Sequence, residues 1–467
     1  MNVWNFTYLV LEYGVFMQYN ESEFISNFTK TGENSMVCDN ISTGENGHLY
    51  FAGQDTVMLA ERYGTPLYLI DEDRLRHNCR VYSEAFRKHF GDKAKALYAG
   101  KANSFKRIYE IMREEDMGID VVSCGEIYTA CLAGYPMENA FFHGNNKTDE
   151  DIAYAMEKGV GCFIVDNTEE LCAVEREASR RGIIQRVMLR LTPGIDPHTY
   201  EAVATGKVDS KFGVAIETGQ AEQFTAEALK MPHIDLAGFH CHVGSQVFAE
   251  DVFERTAVIM LGFIALMREK YGFETRELDL GGGYGVRYVD SDPYLYVEQK
   301  IGEVAAAIKS ECAKLNIPLP AIHMEPGRAI VADAGMTLYT VGAVKRIPGY
   351  KSYVSIDGGM TDNPRFALYG SEYTCLAAGR MNEKPDFRCS LVGRCCESGD
   401  IIQENILLPN GIGRGDIVAV CTTGAYNYSM ASNYNRVPRP PIVMLSGGEN
   451  YVAVRRESLE DICINDL

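Results

Sequence analysis

The sequence predicts an α/β protein in which a (β/α)8 barrel is followed by a C-terminal β-rich domain. Three observations predict this architecture. Short apolar runs alternate with helical patterns in the middle of the chain, unusual polar residues follow the ends of those runs, and strand-like segments dominate after residue 335. The chain also has more residues, 467, than one hydrophobic core usually serves, so two domains are expected.

Eight apolar runs have the length and composition of buried strands. They are Lys95–Gly100, Ile119–Ser123, Ala140–Gly144, Cys162–Asp166, Arg186–Leu191, Leu236–Val243, Glu277–Gly282 and Ala321–Pro326. Near-continuous apolar character is typical of parallel strands that are covered on both faces. After the first run, Phe105, Ile108, Tyr109 and Met112 form one apolar helical stripe. Eight such units indicate a barrel, and a doubly wound open sheet is the structural alternative.

The flanking segments complete the expected domain organisation. The barrel is predicted to span residues 62–334, and residues 335–467 to form the β-domain, with strand candidates such as Tyr353–Ile356 and Ile417–Cys421. Residues 36–61 are expected to join that β-domain.

The first 35 residues do not fit a secretory signal. Glu12 interrupts the short apolar run before it, and no Lys or Arg precedes that run. Met36 begins a stretch typical of a protein start. Residues 1–35 are therefore expected to be an extension, either disordered or a start-site artefact.

Composition argues against some kinds of partner. The chain has 45 basic and 64 acidic residues, a formal net charge of -19, whereas nucleic acid and anionic membranes attract basic patches. Neither partner is expected, and no apolar run approaches the roughly 18 residues of a membrane span. The 14 cysteines show no C-x-x-C spacing, so reduced thiols in the cytoplasm are expected.

Several polar residues follow the ends of the predicted strands. They are Lys101, His143, Arg190, His242, Gly281–Gly283 and Glu325. Since the carboxyl ends of barrel strands share one face, where barrel enzymes build their active sites, we expect these residues to converge on one mouth.

Lys101 and the glycine run each allow two interpretations. A lysine in an apolar cleft has a lowered pKa and acts as a nucleophile, but Lys101 could also extend out of the barrel rim. Gly281, Gly282 and Gly283 allow backbone amides to approach an anion, although a tight turn explains them equally well. Ser245 could donate a hydroxyl to the same anion.

Glu325 and the H-x-H pair also allow two interpretations. The Glu325 carboxylate could keep a pyridine nitrogen protonated, or it could pair with the nearby Arg328. His240 and His242 point to one side of their strand, as in barrel metal hydrolases, which are the rival enzyme class. Because the other strand ends offer Lys, Arg, Gly and Glu, no metal is expected.

Together these motifs resemble a known family. Tyr98–Asn103, His242–Ser245, the triple glycine and Glu325–Arg328 are similar to the alanine-racemase-like, fold type III enzymes that use pyridoxal 5'-phosphate (PLP). This family includes ornithine, arginine and diaminopimelate decarboxylases, and the resemblance covers about residues 36–460. It implies a dimer in which Lys101 carries PLP, His242 stacks on its ring and Glu325 contacts the pyridine nitrogen. Phosphate contacts would come from Ser245, from Gly281–Gly283 and from the backbone at Gly327 and Arg328.

The second half of the chain resembles the diaminopimelate decarboxylase branch. The segments that carry this likeness are Leu191–Gly213, Asp357–Arg365, Ala367–Gly370, Cys396–Asp400, Gly424–Tyr426 and Ser429–Asn435. The resemblance implies that Arg328, Arg365 and Tyr369 hold a distal carboxylate, and that Glu397 holds the distal ammonium. Tyr426 would contact both cofactor and substrate. Cys396 would supply a proton from the partner subunit, so that two chains share each site, although a buried inert thiol is the alternative.

The implied reaction is PLP-dependent decarboxylation of meso-2,6-diaminopimelate at its D-centre, which yields L-lysine and CO2. A decarboxylase of another basic amino acid, a racemase of the same fold, and a non-catalytic PLP-binding regulator are the alternatives. Phe366 and Tyr200 depart from the residues typical of the branch, and either could alter the shape of the pocket.

Overall fold

The computed structural model describes residues 36–92, 94–195, 209–249 and 251–467. The expected extension 1–35 and Tyr200 lie outside the described residues. The strands, numbered in chain order, are β1 (Ile41–Thr43), β2 (Leu49–Phe51), β3 (Gln54–Asp55), β4 (Leu67–Asp71), β5 (Lys95–Ala99), β6 (Gly118–Val121), β7 (Ala140–Phe142), β8 (Cys162–Val165), β9 (Gln185–Thr192), β10 (Val214–Ala215), β11 (Ile234–His240), β12 (Glu277–Asp279), β13 (Ala321–Met324), β14 (Gly335–Arg346), β15 (Ser352–Ile356), β16 (Cys375–Ala377), β17 (Pro385–Val392), β18 (Ile401–Pro409), β19 (Ile417–Cys421), β20 (Ile442–Ser446) and β21 (Glu449–Val454).

The α-helices connect and cover these strands. They are α1 (Thr56–Tyr63), α2 (Glu72–Phe90), α3 (Lys106–Glu114), α4 (Cys124–Leu132), α5 (Asp149–Glu157), α6 (Thr168–Arg181), α7 (Gln220–Ala228), α8 (Val252–Tyr271), α9 (Val297–Leu315), α10 (Arg328–Val331), α11 (Arg365–Tyr369) and α12 (Leu459–Cys463). Side-chain caps begin several of them, including Ser123 before α4 and Asn167 before α6. Within the described residues, no helix is long and apolar enough to cross a membrane.

Eight parallel strands close into a barrel. Their order is β9-β11-β12-β13-β5-β6-β7-β8, and β8 also pairs with β9, so the sheet closes on itself. Each of the eight predicted strands corresponds to one of these, which confirms the (β/α)8 barrel. The open-sheet alternative is wrong, because such a sheet would leave β8 and β9 as unpaired edges.

Burial on both faces explains why the barrel strands were visible in the sequence. Every residue of β6 and β8 is buried, and six apolar side chains of the barrel strands form a buried cluster of their own. The stripe predicted after the first strand lies in and just before α3, and all four of its side chains are buried. Helix and strand therefore bury complementary apolar faces.

The second sheet is built around the long strand β14. Its order is β18-β17-β15-β14-β4-β20-β21, and β19 pairs with β14 and β16. Both strand candidates singled out after residue 335 are found, as β15 and β19. Strand β4 also belongs to this sheet, antiparallel to β14 and parallel to β20. Strands β1–β3 form a separate small sheet whose Leu49 and Phe51 pack in one cluster with the apolar face of β4 and β14.

Candidate active site

The carboxyl ends of the barrel strands surround a cavity of about 370 Å³. Its wall includes Lys101, His143, Arg190, His242 and Glu325 from the barrel, together with Arg365, Tyr369 and Tyr426 from the second half of the chain. The polar strand ends therefore converge on one mouth, as the barrel topology predicts. The second sheet supplies the remaining wall.

Loops of the second sheet are tied directly to the turn that carries Lys101. This residue lies in a short 3-10 turn, Gly100–Ala102, immediately after β5. The backbone N–H of Tyr426 donates to Ala102 O at 2.8 Å, and the Ser429 hydroxyl donates to Lys101 O at 3.0 Å. The Asn103 amide donates to Gly424 O at 2.9 Å. These bonds fix the position of Tyr426 relative to Lys101.

The charge environment of Lys101 differs from the one expected. Burial would lower the pKa of Lys101, but the nearby carboxylates of Asp120 and Glu325 outweigh burial and raise it. The prediction of a lowered pKa is therefore wrong. Two carboxylates of the barrel, Asp120 and Glu325, therefore favour the ammonium form of Lys101.

The glycine run forms a cradle that no other residue could build. Gly281 and Gly283 have φ values of +68° and +118°, and a Cβ at Gly282 would lie 2.1 Å from Glu325 O. A cavity of about 60 Å³ lies between this run and Gly327–Arg328, with Ser245 and His242 in its wall. The cradle is therefore suited to a small anion that backbone amides approach closely.

The two histidines of the H-x-H pair have separate partners. His242 Nδ1 accepts from the Gly282 N–H at 3.1 Å, which orients its ring beside the glycine cradle. His240 Nε2 lies 3.3 Å from Glu325 Oε2 deeper in the barrel. Burial lowers the pKa of both imidazoles, for His240 to about 4, so both are neutral at physiological pH.

Glu325 is surrounded by histidines and does not pair with Arg328. His143 Nε2 lies 2.8 Å from Glu325 Oε1, and His240 lies on the other carboxylate oxygen. Burial alone would raise the pKa of Glu325, but the two histidines bring it well below its usual value. Arg328 instead donates to Tyr288 Oη and to Ser245 Oγ. Glu325 is therefore an ionised carboxylate in the cavity wall.

Among the described residues, one group has ligand atoms close enough to hold a metal ion: His143, His240 and Glu325, whose atoms lie within 4.8 Å of one another. His242 is not in this group, so the two members of the H-x-H pair do not act together here. The two imidazoles face the carboxylate at hydrogen-bonding distances, which accounts for the cluster without an ion. The expectation that the protein uses no metal stays a prediction.

Two arginines lie close to the Tyr426 ring. The guanidinium carbons of Arg328 and Arg365 lie 4.8 Å and 5.4 Å from its centroid. Arg365 is nearly buried, donates to Ser371 Oγ at 3.1 Å, and leaves its Nε without a partner. Tyr369 lies at the other end of the same short helix. Buried guanidinium donors in a cavity wall provide a bidentate site for a carboxylate.

Cys396 and Glu397 lie elsewhere on the same chain. Neither is among the described residues that line the cavity, and both are exposed. The Cys396 N–H donates to Asn435 Oδ1 at 2.8 Å, and Glu397 accepts from the Gly399 N–H. The interpretation of Cys396 as a buried inert thiol is therefore wrong.

Two residues near the site were not assigned a role from the sequence. Asp120 is buried in β6, level with Ala99 of β5, and neither of its carboxylate oxygens has a hydrogen-bond partner. His143 Nε2 lies 3.8 Å from it. The aspartate inside an otherwise apolar run was the available signal, because a buried carboxylate without an evident partner is rare.

Comparisons with known proteins agree with this geometry. The pyridoxal-binding domain of pyridoxal-dependent decarboxylases matches residues 74–332. The chain is 43% identical to diaminopimelate decarboxylase of Bacillus subtilis over 423 residues, and this alignment covers 91% of this chain and 96% of that protein. It is 42% identical to the Staphylococcus aureus enzyme of that name, over 91% and 99% of the two chains. A crystal structure of diaminopimelate decarboxylase from M. jannaschii in complex with L-lysine has a TM-score of 0.85 and 32% identity, and covers 92% of this chain and 98% of that one.

Proposed function

The chain belongs to the diaminopimelate decarboxylase family, and from this premise we propose that it is a lyase that converts meso-2,6-diaminopimelate to L-lysine and CO2. The reaction removes the carboxylate at the D-centre and uses PLP. The observation that carries the proposal is the pair of buried arginines, Arg328 and Arg365, in the cavity that contains Lys101. A substrate with a second carboxylate uses both cations, whereas ornithine has no distal carboxylate to offer them.

The residues of the cavity fit PLP. Gly281, Gly282 and Gly283 lie where a side chain would collide with the neighbouring backbone. Because these residues carry no side chains, a phosphate can approach their backbone amides closely. Ser245 and the backbone at Gly327 and Arg328 would complete the phosphate contacts. Lys101 would hold the cofactor, and His242 would lie against its ring. When bound, PLP accepts the electron pair that remains on carbon after the carboxylate leaves.

Glu325 would hold a proton on the pyridine nitrogen, since an ionised carboxylate accepts a hydrogen bond from N–H. Its low pKa supports this role, because the carboxylate stays ionised over the physiological pH range. Arg328, Arg365 and Tyr369 would orient the distal carboxylate, and Glu397 would bind the distal ammonium. Tyr426 would contact both cofactor and substrate, as the closeness of its ring to both guanidiniums suggests.

We propose that Cys396 delivers the proton to the carbon from which CO2 departs, and that it does so from the partner subunit of a homodimer. Its exposure, and its position away from the cavity of its own chain, support action across an interface. Glu397 would enter the site in the same way. Each site would then contain residues of two chains, so that the monomer lacks its proton donor.

We also propose that the protein works in the cytoplasm with no nucleic-acid or membrane partner. All 14 cysteines lie within the described residues and are free thiols, as in a reducing compartment. Cell fractionation with an antibody against the chain would test this assignment.

Product analysis tests the proposed activity. Purified protein loaded with PLP should convert meso-diaminopimelate to CO2 and L-lysine in equal amounts. It should prefer meso-diaminopimelate to ornithine by roughly 10³-fold in kcat/KM, since ornithine leaves buried charges unpaired. Comparable kcat/KM on ornithine, or racemisation without CO2, would favour one of the alternative enzymes.

A further inference from the structure

Three residues from different barrel strands meet in the barrel interior. His143 follows β7, His240 ends β11, and Glu325 follows β13. The two imidazoles contact different oxygens of the one carboxylate, at 2.8 Å and 3.3 Å, and their rings lie edge to face with centroids 5.0 Å apart. Their side chains are 5%, 0% and 4% exposed, so water does not compete for these contacts.

The geometry determines which atoms carry protons. An ionised carboxylate only accepts hydrogen bonds, so each imidazole must present a protonated Nε2 to Glu325. The His240 contact has hydrogen-bond geometry, whereas His143 Nε2 lies close to Oε1 but is less well aligned. Polar contacts of this kind often tighten when an active site is filled.

Two donors leave the carboxylate able to accept one more bond. A carboxylate has about four lone-pair positions; His240 uses one, and His143 would use a second once it is aligned. Glu325 also lines both the main cavity and the glycine cradle. A further N–H donor in the cavity can therefore reach an acceptor that is already fixed in place.

Without the histidines, Glu325 would be a buried carboxylate among other acids. Asp120 lies close to His143, and Asp279 is buried next to the glycine run, where its Oδ1 accepts from the Gly281 N–H. The positive groups that face the cluster, Lys101 and Arg190, stand at the mouth. A buried carboxylate that loses its donors takes up a proton, and a protonated Glu325 could no longer accept the bond of a pyridine N–H.

We propose that His143 and His240 are positioning residues that keep the Glu325 carboxylate oriented and ionised, so that the pyridine nitrogen of the cofactor stays protonated. This inference rests on the proposed PLP chemistry and assigns to it two residues whose contacts are with the Glu325 carboxylate. The two histidines act through Glu325, from the side of the carboxylate that faces the barrel interior.

The test compares phenylalanine and glutamine at each histidine. His143→Phe and His240→Phe retain a ring but remove the donor, whereas His143→Gln and His240→Gln retain an N–H at the position of Nε2. Each protein is reconstituted with PLP labelled with 15N in the ring, and the 15N resonance reports whether that nitrogen carries a proton. The cofactor dissociation constant is measured in the same samples by fluorescence titration.

The phenylalanine variants should lose the ring-nitrogen proton and bind PLP roughly 10- to 100-fold more weakly, as expected for one lost hydrogen bond to a charged group. The glutamine variants should retain the proton on the ring nitrogen and the affinity for PLP. His323→Phe is the matched control: His323 is also buried in the barrel, but its Nε2 contacts Glu277 at 3.1 Å. That variant should lose stability without any change in the ring-nitrogen signal.

The proposal would be overturned if both phenylalanine variants kept a protonated ring nitrogen and wild-type affinity for PLP. In that case the proposed function would still stand, provided that the wild type turns over diaminopimelate. A wild type that does not bind PLP would overturn both. If the phenylalanine variants do not fold, histidine 15N spectra of the loaded wild type decide the question. The proposal requires Nε2–H on both residues, and an unprotonated Nε2 on either would refute it.

Discussion

Arg365→Met should disable recognition of the distal carboxylate while leaving the cofactor in place. The Arg365 side chain is nearly buried, and one hydrogen bond to Ser371 occupies only one of its five N–H donors. The remaining donors include the unpartnered Nε. Methionine keeps the unbranched chain and fills similar volume, so the change removes charge and donors more than packing.

The magnitude follows from the bonds that are lost. A bidentate guanidinium–carboxylate contact supplies two hydrogen bonds to charged groups, each worth about 1.5–3 kcal/mol. Arg328 and Tyr369 remain and retain part of the binding, so the net loss should lie near the lower sum, about 3–4 kcal/mol. At 1.36 kcal/mol for each factor of ten, kcat/KM for meso-diaminopimelate should fall roughly 10²- to 10³-fold.

Lysine release in a coupled assay measures kcat/KM, and the absorbance of bound PLP measures cofactor occupancy. Arg176→Met is the control, because Arg176 is an exposed arginine of α6 that pairs only with Asp149 on the surface. Its kcat/KM should match the wild type. A loss below about 10-fold for Arg365→Met, with full cofactor occupancy, would show that this arginine does not hold the carboxylate.

Three further predictions concern the cofactor, the barrel and the dimer. Borohydride reduction of the loaded protein followed by peptide mapping should place the pyridoxyl label on Lys101, and a label on any other lysine would contradict the assignment. Lys147→Met should cost about 3–5 kcal/mol of unfolding free energy, because the buried Glu170 loses the ammonium that lies 2.7 Å away. Denaturant midpoints measure this loss, and Lys314→Met, at an exposed lysine that pairs with Glu311, is the control; a midpoint like that of the control would contradict the prediction. Co-expressed Lys101→Ala and Cys396→Ala chains should recover about half of wild-type activity per heterodimer, since one of two shared sites is complete, and no recovery in verified heterodimers would mean that Cys396 acts within its own chain or is not the acid.

Local signals made the barrel predictable from the sequence. Its strands are buried on both faces, so each appears as a short apolar run with no alternation to obscure it. The order of the second sheet depends on distant pairings that leave no such signal. Strand β4 has five buried residues, like a barrel strand, yet it pairs with β14, and Ile70 lies opposite Gly335.

The site was predictable where a residue type and a strand end coincide, as for Lys101 and Glu325. Contacts between side chains across the barrel could not be predicted, because they depend on how far each side chain extends into the barrel and not on the spacing of residues in the sequence. His143 was recognised as a polar strand end, but its position beside Glu325 appears only when β7 and β13 are placed in one closed sheet. The pKa of Lys101 was predicted in the wrong direction because Asp120, on the adjacent strand, was left out.

The proposed cofactor residues and the proposed substrate residues lie largely in different parts of the chain, so the barrel alone is better evidence for the cofactor than for the substrate. All the residues assigned to PLP except Tyr426 lie between Lys101 and Arg328, inside the region that matches the pyridoxal-binding domain. Arg365 and Tyr369 lie beyond it, on a part of the chain that only the second sheet positions. The barrel with its cradle specifies how PLP is held, whereas the proposed site for the distal carboxylate combines Arg328 with Arg365 and Tyr369 of the segment that follows. Substitutions at Arg365 and Tyr369 should therefore change the substrate before they change the cofactor.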